Sequence, residues 1–189
     1  MYIFWDNSNI FYSGLNQILP KREPDANCLC FRIHFGNLLQ LVSTGRHVDK
    51  VYMAGSRPPE SDSVWSAFRK LGIEPEILPR SETEGEANTT DYLLQTHLLR
   101  LDYDVEPPDT FALLTGDGAG RNQNIGFFAD AKRLVKKGWH FELYAWDSSC
   151  NKEMKAFAEA HGKYVNLEDF YDNITFLAEG GRTPKPLKM

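Results

Sequence analysis

The chain has 189 residues, of which 42% are hydrophobic and 25% are charged, and its formal net charge is −5. This length suits one domain with a full apolar core, and no apolar run reaches the length that spans a bilayer. The three cysteines, of which Cys28 and Cys30 are separated by a single residue, exclude a disulfide framework and a zinc-ligand spacing. Since no basic and apolar leader opens the sequence, we expect a soluble cytoplasmic protein.

Short apolar runs alternate with helical periodicity along the first half of the chain. Residues 2–5 predict a strand, and the polar residues 6–9 suit the cap of a helix that begins near Ile10. Residues 13–30 contain glycine, prolines and charges and predict an irregular loop. The pattern then predicts a helix at 35–42, a strand at 48–54, a helix at 64–71 and a strand at 74–78.

The second half continues the alternation, so residues 1–178 are predicted to form a single domain. Residues 179–189 contain two prolines and three basic residues and predict a mobile tail. The pattern predicts helices that begin near Asn88, before Gly138, at 151–161 and at 167–177, and strands at 111–114, 141–146 and 164–166.

Strands that alternate with helices predict a three-layer α/β/α sandwich with a mostly parallel, doubly wound sheet. The switch point of the sheet is expected between the strands at 2–5 and 111–114. Asp6 and Asp117 lie just beyond these strands, at the carboxyl edge where such sheets bind ligands. The helix with Asp91 in its first turn leads into the strand at 111–114, so that turn is expected at the same edge.

Three carboxylates at one edge would repel each other unless a hard cation neutralises them. Mg²⁺ or Mn²⁺ is the expected cation, and it favours hydrolysis of a phosphodiester by an activated water without a covalent intermediate. Two of the carboxylates also have ordinary local explanations. Asp91 could complement the helix dipole, and Asp117 could serve as a turn residue between glycines.

Other chemistries match the sequence less well. The glycines after the strand at 111–114 fail the dinucleotide fingerprint because Arg121 stands where the third glycine belongs, and a Walker A lysine motif is absent. A phosphatase of the haloacid dehalogenase type would need a second aspartate two residues after Asp6, where Ser8 stands. The histidines lack ligand-like spacing, so neither a zinc site nor a Ser-His-Asp set is predicted.

Basic residues gather around the strand-to-helix turn although the net charge is negative. Such a flank beside carboxylates suits a polyanion, and a solvated helix face explains the same pattern equally well. The cluster consists of Arg121, Lys132, Arg133, Lys136 and Lys137, and the first three are the candidate contacts to a nucleic acid.

Four segments, taken in order, resemble the NYN branch of the PIN-like nuclease superfamily. They are residues 6–10 (DNSNI), 89–94 (TTDYLL), 114–118 (LTGDG) and 127–134 (FFADAKRL). The resemblance extends over roughly residues 1–170 in its order of elements. It implies a Rossmann-like sandwich that acts as a metal-dependent endoribonuclease on single-stranded or structured RNA.

The resemblance also implies roles for individual residues. Asp6, Asp91 and Asp117 would be the metal ligands, Asn9 would support a metal-bound water or the substrate, and Thr115 would orient the site. Homodimerisation is left open.

One position departs from the family pattern, which usually has a second acidic residue two positions after the turn aspartate. Ala119 occupies that position here. This change leaves two alternatives open, a site completed by another carboxylate or an RNA-binding or adaptor module with weakened catalysis. The candidates for the missing carboxylate are Asp130, Asp147 and Glu86.

Overall fold

Strands and helices alternate along the computed structural model, which describes residues 1–56, 63–78, 86–116 and 126–187 and gives the backbone alone at positions 56, 78 and 86–91. The strands are β1 (Tyr2–Asp6), β2 (Phe31–Ile33), β3 (Lys50–Ser56), β4 (Glu76–Leu78), β5 (Thr110–Leu114), β6 (His140–Ala145), β7 (Lys163–Asn166) and β8 (Thr175–Leu177). The α-helices are α1 (Asn7–Ser13), α2 (Leu19–Arg22), α3 (Phe35–Ser43), α4 (Ser63–Lys70), α5 (Glu86–Asp104), α6 (Phe127–Lys136), α7 (Lys152–His161) and α8 (Tyr171–Ile174).

Within these ranges, six parallel strands form one sheet in the order β4-β3-β1-β5-β6-β7. Strand β1 lies between β3 and β5, so Tyr2 is opposite Lys50 on one side and Phe111 on the other. The chain winds outward from β1 in both directions. The predicted switch point between β1 and β5 is therefore confirmed.

Alternating side chains of β1 enter two separate apolar layers. Ile3 and Trp5 pack with α3 and α4, whereas Phe4 packs with α5, α6 and α7. All three are at most 1% exposed. Burial of each such side chain contributes about 1.5–3 kcal/mol, so helices are held on both faces of the sheet. This arrangement confirms the predicted three-layer α/β/α sandwich.

The prediction of an irregular loop at 13–30 is wrong for residues 13–22, because α1 continues through a π-helical turn (Gly14–Ile18) into α2, whereas residues 23–27 are irregular as predicted. Two buried residues drive this continuation, since Ile18 and Leu19 are 1% and 2% exposed. Gly14 allows close packing, because a Cβ there would lie 3.0 Å from the ring of Phe31. Burial of these side chains by the rest of the fold therefore outweighs the low helix propensity of the glycine and the proline in this segment.

The helix predicted at 167–177 is also wrong over its last three residues, 175–177. The chain forms a 3-10 turn at Leu167–Phe170 and then α8, but residues 175–177 are strand β8. Strand β8 pairs antiparallel with β2 in a separate small sheet, with Thr175 opposite Ile33. Both strands have three residues, too few to show an alternating pattern in the sequence.

The segment after β8 makes polar contacts with the body of the protein. The guanidinium of Arg182 donates to the carbonyl of Thr175 at 2.8 Å and pairs with Glu23 at 3.0 Å. The same group lies 4.9 Å from the ring centroid of Tyr171. These contacts tie residue 182 to α2 and α8, and the mobility predicted for residues 179–189 stays a prediction.

Helix α5 is the longest helix among the described residues, with 19 residues. Leu94, Leu98 and Leu101 are buried against the sheet, whereas Tyr92 and Tyr103 are exposed on the outer side. The helix is thus amphipathic. No helix in the described ranges is both long enough and apolar enough to cross a membrane.

A buried carboxylate ties the end of α3 to β6. Glu142 is 8% exposed, Arg46 binds both of its oxygens at 2.8 Å, and the Tyr144 hydroxyl donates to Oε2 at 2.9 Å. Arg46 also donates to the carbonyls of Val42 and Ser43. Burial alone would raise the pKa of Glu142, but the hydrogen bonds from Arg46 and Tyr144 outweigh burial and lower that pKa.

We expect Glu142→Gln to lower the free energy of unfolding by about 1–3 kcal/mol at pH 7, because Arg46 and the buried Tyr144 hydroxyl lose a charged acceptor. Since the folded pKa of Glu142 is below its unfolded value, its contribution is present above about pH 5 and declines as the pH falls through the folded pKa. Urea unfolding of both proteins at pH 7 and pH 3 checks this. The exposed control Glu106→Gln should show no such effect, and an equal loss for Glu142→Gln at both pH values would contradict the expectation.

Candidate functional site

The candidate site lies where β1 and β5 end side by side. Trp5 and Leu114 form the last matched pair, so Asp6 and Thr115 lie next to each other at the carboxyl edge. Both side chains are buried, at 4% and 2% exposure. Thr115 Oγ1 donates to Asp6 Oδ2 over 3.4 Å, which is a long hydrogen bond. The structure therefore brings two of the predicted site residues into contact.

Asn9 connects the turn after β1 to the turn after β5 through hydrogen bonds. Its backbone N–H donates to Asp6 Oδ1 at 2.9 Å, which makes Asp6 the N-cap of α1. Its side-chain oxygen accepts the N–H of Gly116 at 2.9 Å. The predicted helix start was Ile10, whereas the observed helix begins at Asn7. Asn9 has a structural contact, and its predicted role at a metal-bound water or the substrate stays a prediction.

The loop after β6 packs on the other side of Gly116. The Gly116 carbonyl accepts the N–H of Asn151 at 2.6 Å, and a Cβ at position 116 would lie 3.5 Å from the Cα of Cys150. Burial raises the pKa of the Cys150 thiol to about 11. A thiol with such a pKa is protonated at neutral pH, so Cys150 is not suited to act as a nucleophile.

The position of Asp91 in α5 argues against the explanation that this residue only complements the helix dipole. The helix begins at Glu86, earlier than the predicted Asn88, so Asp91 is its sixth residue and lies beyond the first turn. Interaction with a helix dipole falls off within that first turn. The structure gives the backbone alone at this position.

Asp117 lies outside the described residues, as do Ala119 and Arg121. Asp6 is therefore the predicted metal ligand whose side chain the structure describes. Among the residues with described side chains, no group of three or more His, Cys, Asp or Glu could hold a metal ion. The convergence of Asp6, Asp91 and Asp117 stays a prediction.

Two of the three candidates for the missing carboxylate have a described environment. Asp147 pairs with Lys155 and accepts from the Tyr164 hydroxyl at 3.0 Å. The hydrogen bond from Lys155 lowers the pKa of Asp147, so a cation of the protein itself stabilises this carboxylate. Glu86 is the first residue of α5, where the backbone alone is described.

Asp130 is the other candidate with a described environment. It lies in the first turn of α6, is 1% exposed and accepts from Gln95 Nε2 of α5 at 2.5 Å. Arg133, one turn further along α6, pairs with its second oxygen. Sequence reasoning did not single out Gln95, although its spacing of four residues from Asp91 was a visible signal.

The basic flank is partly engaged in local contacts. Lys132 Nζ lies 3.8 Å from the ring centroid of Phe128, and Lys137 pairs with Asp102. Arg133 pairs with Asp130 but keeps 54% of its side chain exposed. Lys132 and Arg133 are therefore anchored at the surface of α6 rather than extended freely into solvent.

We expect Asn9→Ala to lower the free energy of unfolding by about 1–3 kcal/mol, because the buried N–H of Gly116 loses its acceptor. The matched control is Asn16→Ala, since Asn16 is exposed in the following turn of the same helical segment. Urea unfolding monitored by circular dichroism measures both. Equal stability of the two variants would show that the Asn9 contact contributes nothing.

A family model of the NYN domain matches residues 1–168 of the chain. Among solved structures, a crystal structure of a protein of unknown function from Vibrio parahaemolyticus is similar, with a TM-score of 0.66 and 13% identity over 89% of this chain and 92% of that chain. This likeness shows the fold alone. A comparison with curated proteins found no match. Because the family match covers most of the chain and the fold agrees with it, the protein belongs to the NYN domain family of the PIN-like nuclease superfamily.

Proposed function

We propose that this protein is an Mg²⁺- or Mn²⁺-dependent endoribonuclease with Asp6, Asp91 and Asp117 at its centre. The observation that carries the proposal is the buried Asp6 carboxylate at the carboxyl edge of β1 and β5. Membership in the NYN family supports it, since the NYN domain has a nuclease fold and its members are generally ribonucleases.

Asp6 is oriented by its neighbours toward this edge. The Asn9 N–H holds one carboxylate oxygen, and the Thr115 hydroxyl approaches the other. A buried carboxylate is costly unless hydrogen bonds or a cation compensate for its lost hydration. The Asn9 N–H and the Thr115 hydroxyl, both neutral donors, contribute to this compensation and hold the carboxylate at the edge.

Helical periodicity supports a position for Asp91 close to Asp6. Leu94 and Leu98 belong to the same buried cluster as Phe4, two residues before Asp6 on the same side of β1. Asp91 precedes Leu94 by three residues and Leu98 by seven, the spacing of one helix face. The proposal therefore assigns position 91 to the sheet-facing side of α5.

Chain connectivity supports the third carboxylate. Asp117 directly follows Gly116, whose N–H and carbonyl are bound by Asn9 and Asn151. The residue before Asp117 is thus fixed from both sides. The donor set that results consists of carboxylate oxygens, which suits a hard divalent cation better than a soft one.

Each group has a defined part in the proposed hydrolysis. Asp6, Asp91 and Asp117 would hold the ion, which when bound activates water and stabilises charge on the phosphoryl group. Asn9 and Thr115 keep the turn after β5 aligned with Asp6. The basic residues Arg121, Lys132 and Arg133 would contact phosphates of the RNA.

Replacing any one of the three proposed metal ligands should abolish RNA cleavage without unfolding the protein. We expect Asp6→Asn, Asp91→Asn and Asp117→Asn each to lower kcat/KM on a labelled single-stranded RNA by at least about 100-fold, because charge stabilisation in the transition state is lost. EDTA should stop the wild type, and Mg²⁺ or Mn²⁺ should restore it. Rates are measured by gel under single-turnover conditions.

The control is Asp25→Asn, which changes an exposed carboxylate in the turn after α2 and should keep wild-type activity. Thermal melts accompany the assay, since metal that binds the folded state alone should raise the Tm of wild type and not of the three ligand variants. Cleavage that persists in EDTA, or that the Asp117→Asn variant retains, would sink the proposal.

A second candidate function is RNA binding with little or no turnover. Ala119 favours it, because the family pattern usually has an acidic residue at that position. The two functions share the fold and the basic flank, so binding alone does not separate them. Tight RNA binding without metal-dependent cleavage would select the second function.

Under either function, RNA affinity should fall with salt because bound phosphates release counterions. We expect Lys132→Glu to weaken binding at 100 mM salt by about tenfold and to reduce the slope of log affinity against log salt. Lys70→Glu is the matched charge reversal, since Lys70 is exposed at the far end of α4. Fluorescence anisotropy with a labelled RNA measures both, and identical salt slopes for the two variants would remove Lys132 from the interface.

A further inference from the structure

We propose that Asp130 is a positioning residue whose carboxylate locks α5 to α6 and so fixes the turn of α5 that carries Asp91. This inference rests on the proposed function. It differs from a role for Asp130 as a replacement metal ligand, because here Asp130 acts through Gln95 on a neighbouring helix.

The contacts of Asp130 link the two helices directly. Gln95 Nε2 of α5 donates to Asp130 Oδ2 at 2.5 Å, and Arg133 of α6 pairs with Oδ1. The carboxylate is 1% exposed, whereas the Arg133 side chain is 54% exposed. Both oxygens are therefore engaged, one across the helix interface and one within α6.

The burial of the Asp130 carboxylate argues against a role for this residue within α6 alone. A carboxylate that only complements the dipole of α6 gains its stabilisation at the surface, where it stays hydrated. Asp130 instead lies between two helices, where an ionised group needs good partners to offset its lost hydration. The bond from Gln95 is the partner that connects it to another element.

Gln95 transmits the constraint to Asp91. The two residues are four positions apart in α5, so they are neighbours on one side of the helix, about 6 Å apart along its axis. Leu94 and Leu98 already hold α5 against the sheet through apolar contacts, which tolerate small rotations. The directional bond from Gln95 to Asp130 removes that freedom.

The test compares three variants, Asp130→Ala, Asp130→Asn and Gln95→Leu. Alanine and leucine each remove the bridge, whereas asparagine keeps an oxygen that accepts from Gln95 and removes the carboxylate charge. We expect Asp130→Ala and Gln95→Leu to weaken Mn²⁺ binding by about 10–100-fold, the range found when groups that orient metal ligands are removed. Asp130→Asn should stay within about threefold of wild type.

Titration calorimetry with MnCl₂ gives the affinities, and kcat and KM are measured at saturating metal. A positioning role predicts that Asp130→Ala and the double variant Asp130→Ala/Gln95→Leu bind Mn²⁺ equally weakly, since both lack the same bridge. Loss of binding in both Asp130→Ala and Asp130→Asn, with Gln95→Leu unchanged, would make Asp130 a ligand and overturn the inference. Wild-type affinity in Asp130→Ala would overturn it as well.

Hydrogen exchange of the metal-free protein provides a readout that does not depend on activity. Amides of residues 86–95 should exchange faster in Asp130→Ala and Gln95→Leu than in wild type and Asp130→Asn. Unchanged exchange in both bridge variants would refute the mechanical link even if metal binding fell. If wild-type protein neither binds Mn²⁺ nor cleaves RNA, the proposed function fails, and the exchange data still decide whether Asp130 fixes α5.

Discussion

Parallel pairing of β1 with β5 is the constraint on which the candidate site depends. Adjacent strands lie about 4.8 Å apart, so residues just beyond their matched ends are close enough for direct hydrogen bonds. The helix after β1 packs on one face of the sheet, whereas α6, which follows β5, packs on the other. Open sheets of this kind bind ligands at the point where the strand order reverses. A further strand between β1 and β5 would separate Asn9 from Gly116 and Asp6 from Thr115.

Polar contacts fix the positions of the helices on the sheet more precisely than the apolar layers do. Packing of leucines and aromatic rings brings each helix to its face of the sheet, but such contacts allow small shifts. Around the carboxyl edge, directional bonds set the final alignment, as between Asn151 and Gly116 or between the Trp146 indole and the carbonyl of Ile10 at 2.8 Å. Because these donors and acceptors are largely removed from water, each lost partner is costly. The candidate edge is therefore held by directional hydrogen bonds as well as by apolar packing.

The central sheet was predictable because its signals are local. Each core strand is a short apolar run with polar or glycine boundaries, and the order of strands and helices then fixes which ends are neighbours. Asp6 and the carboxyl end of the strand at 111–114 could be placed together on that basis. The helical course of residues 14–22 could not, since it depends on burial of Ile18 and Leu19 by distant elements. The bond between Gln95 and Asp130 joins positions 35 residues apart, and no spacing rule predicts a pair between two helices.

The π-helical turn at Gly14–Ile18 has a consequence for the surface beyond α1. The N–H of Leu19 donates to the carbonyl of Gly14, so this turn holds one residue more than an α-helical turn. One extra residue rotates everything after it by about 100° around the helix axis. This phase shift lets Lys21 reach Ser148 in the loop after β6, at 3.1 Å, while Asn9 keeps its own orientation toward Gly116. Loss of a single residue from this turn would rotate Lys21 away from that loop and leave the strands of the sheet in place. A change in length here is therefore a route by which related sequences could vary the surface around α2 independently of the sheet.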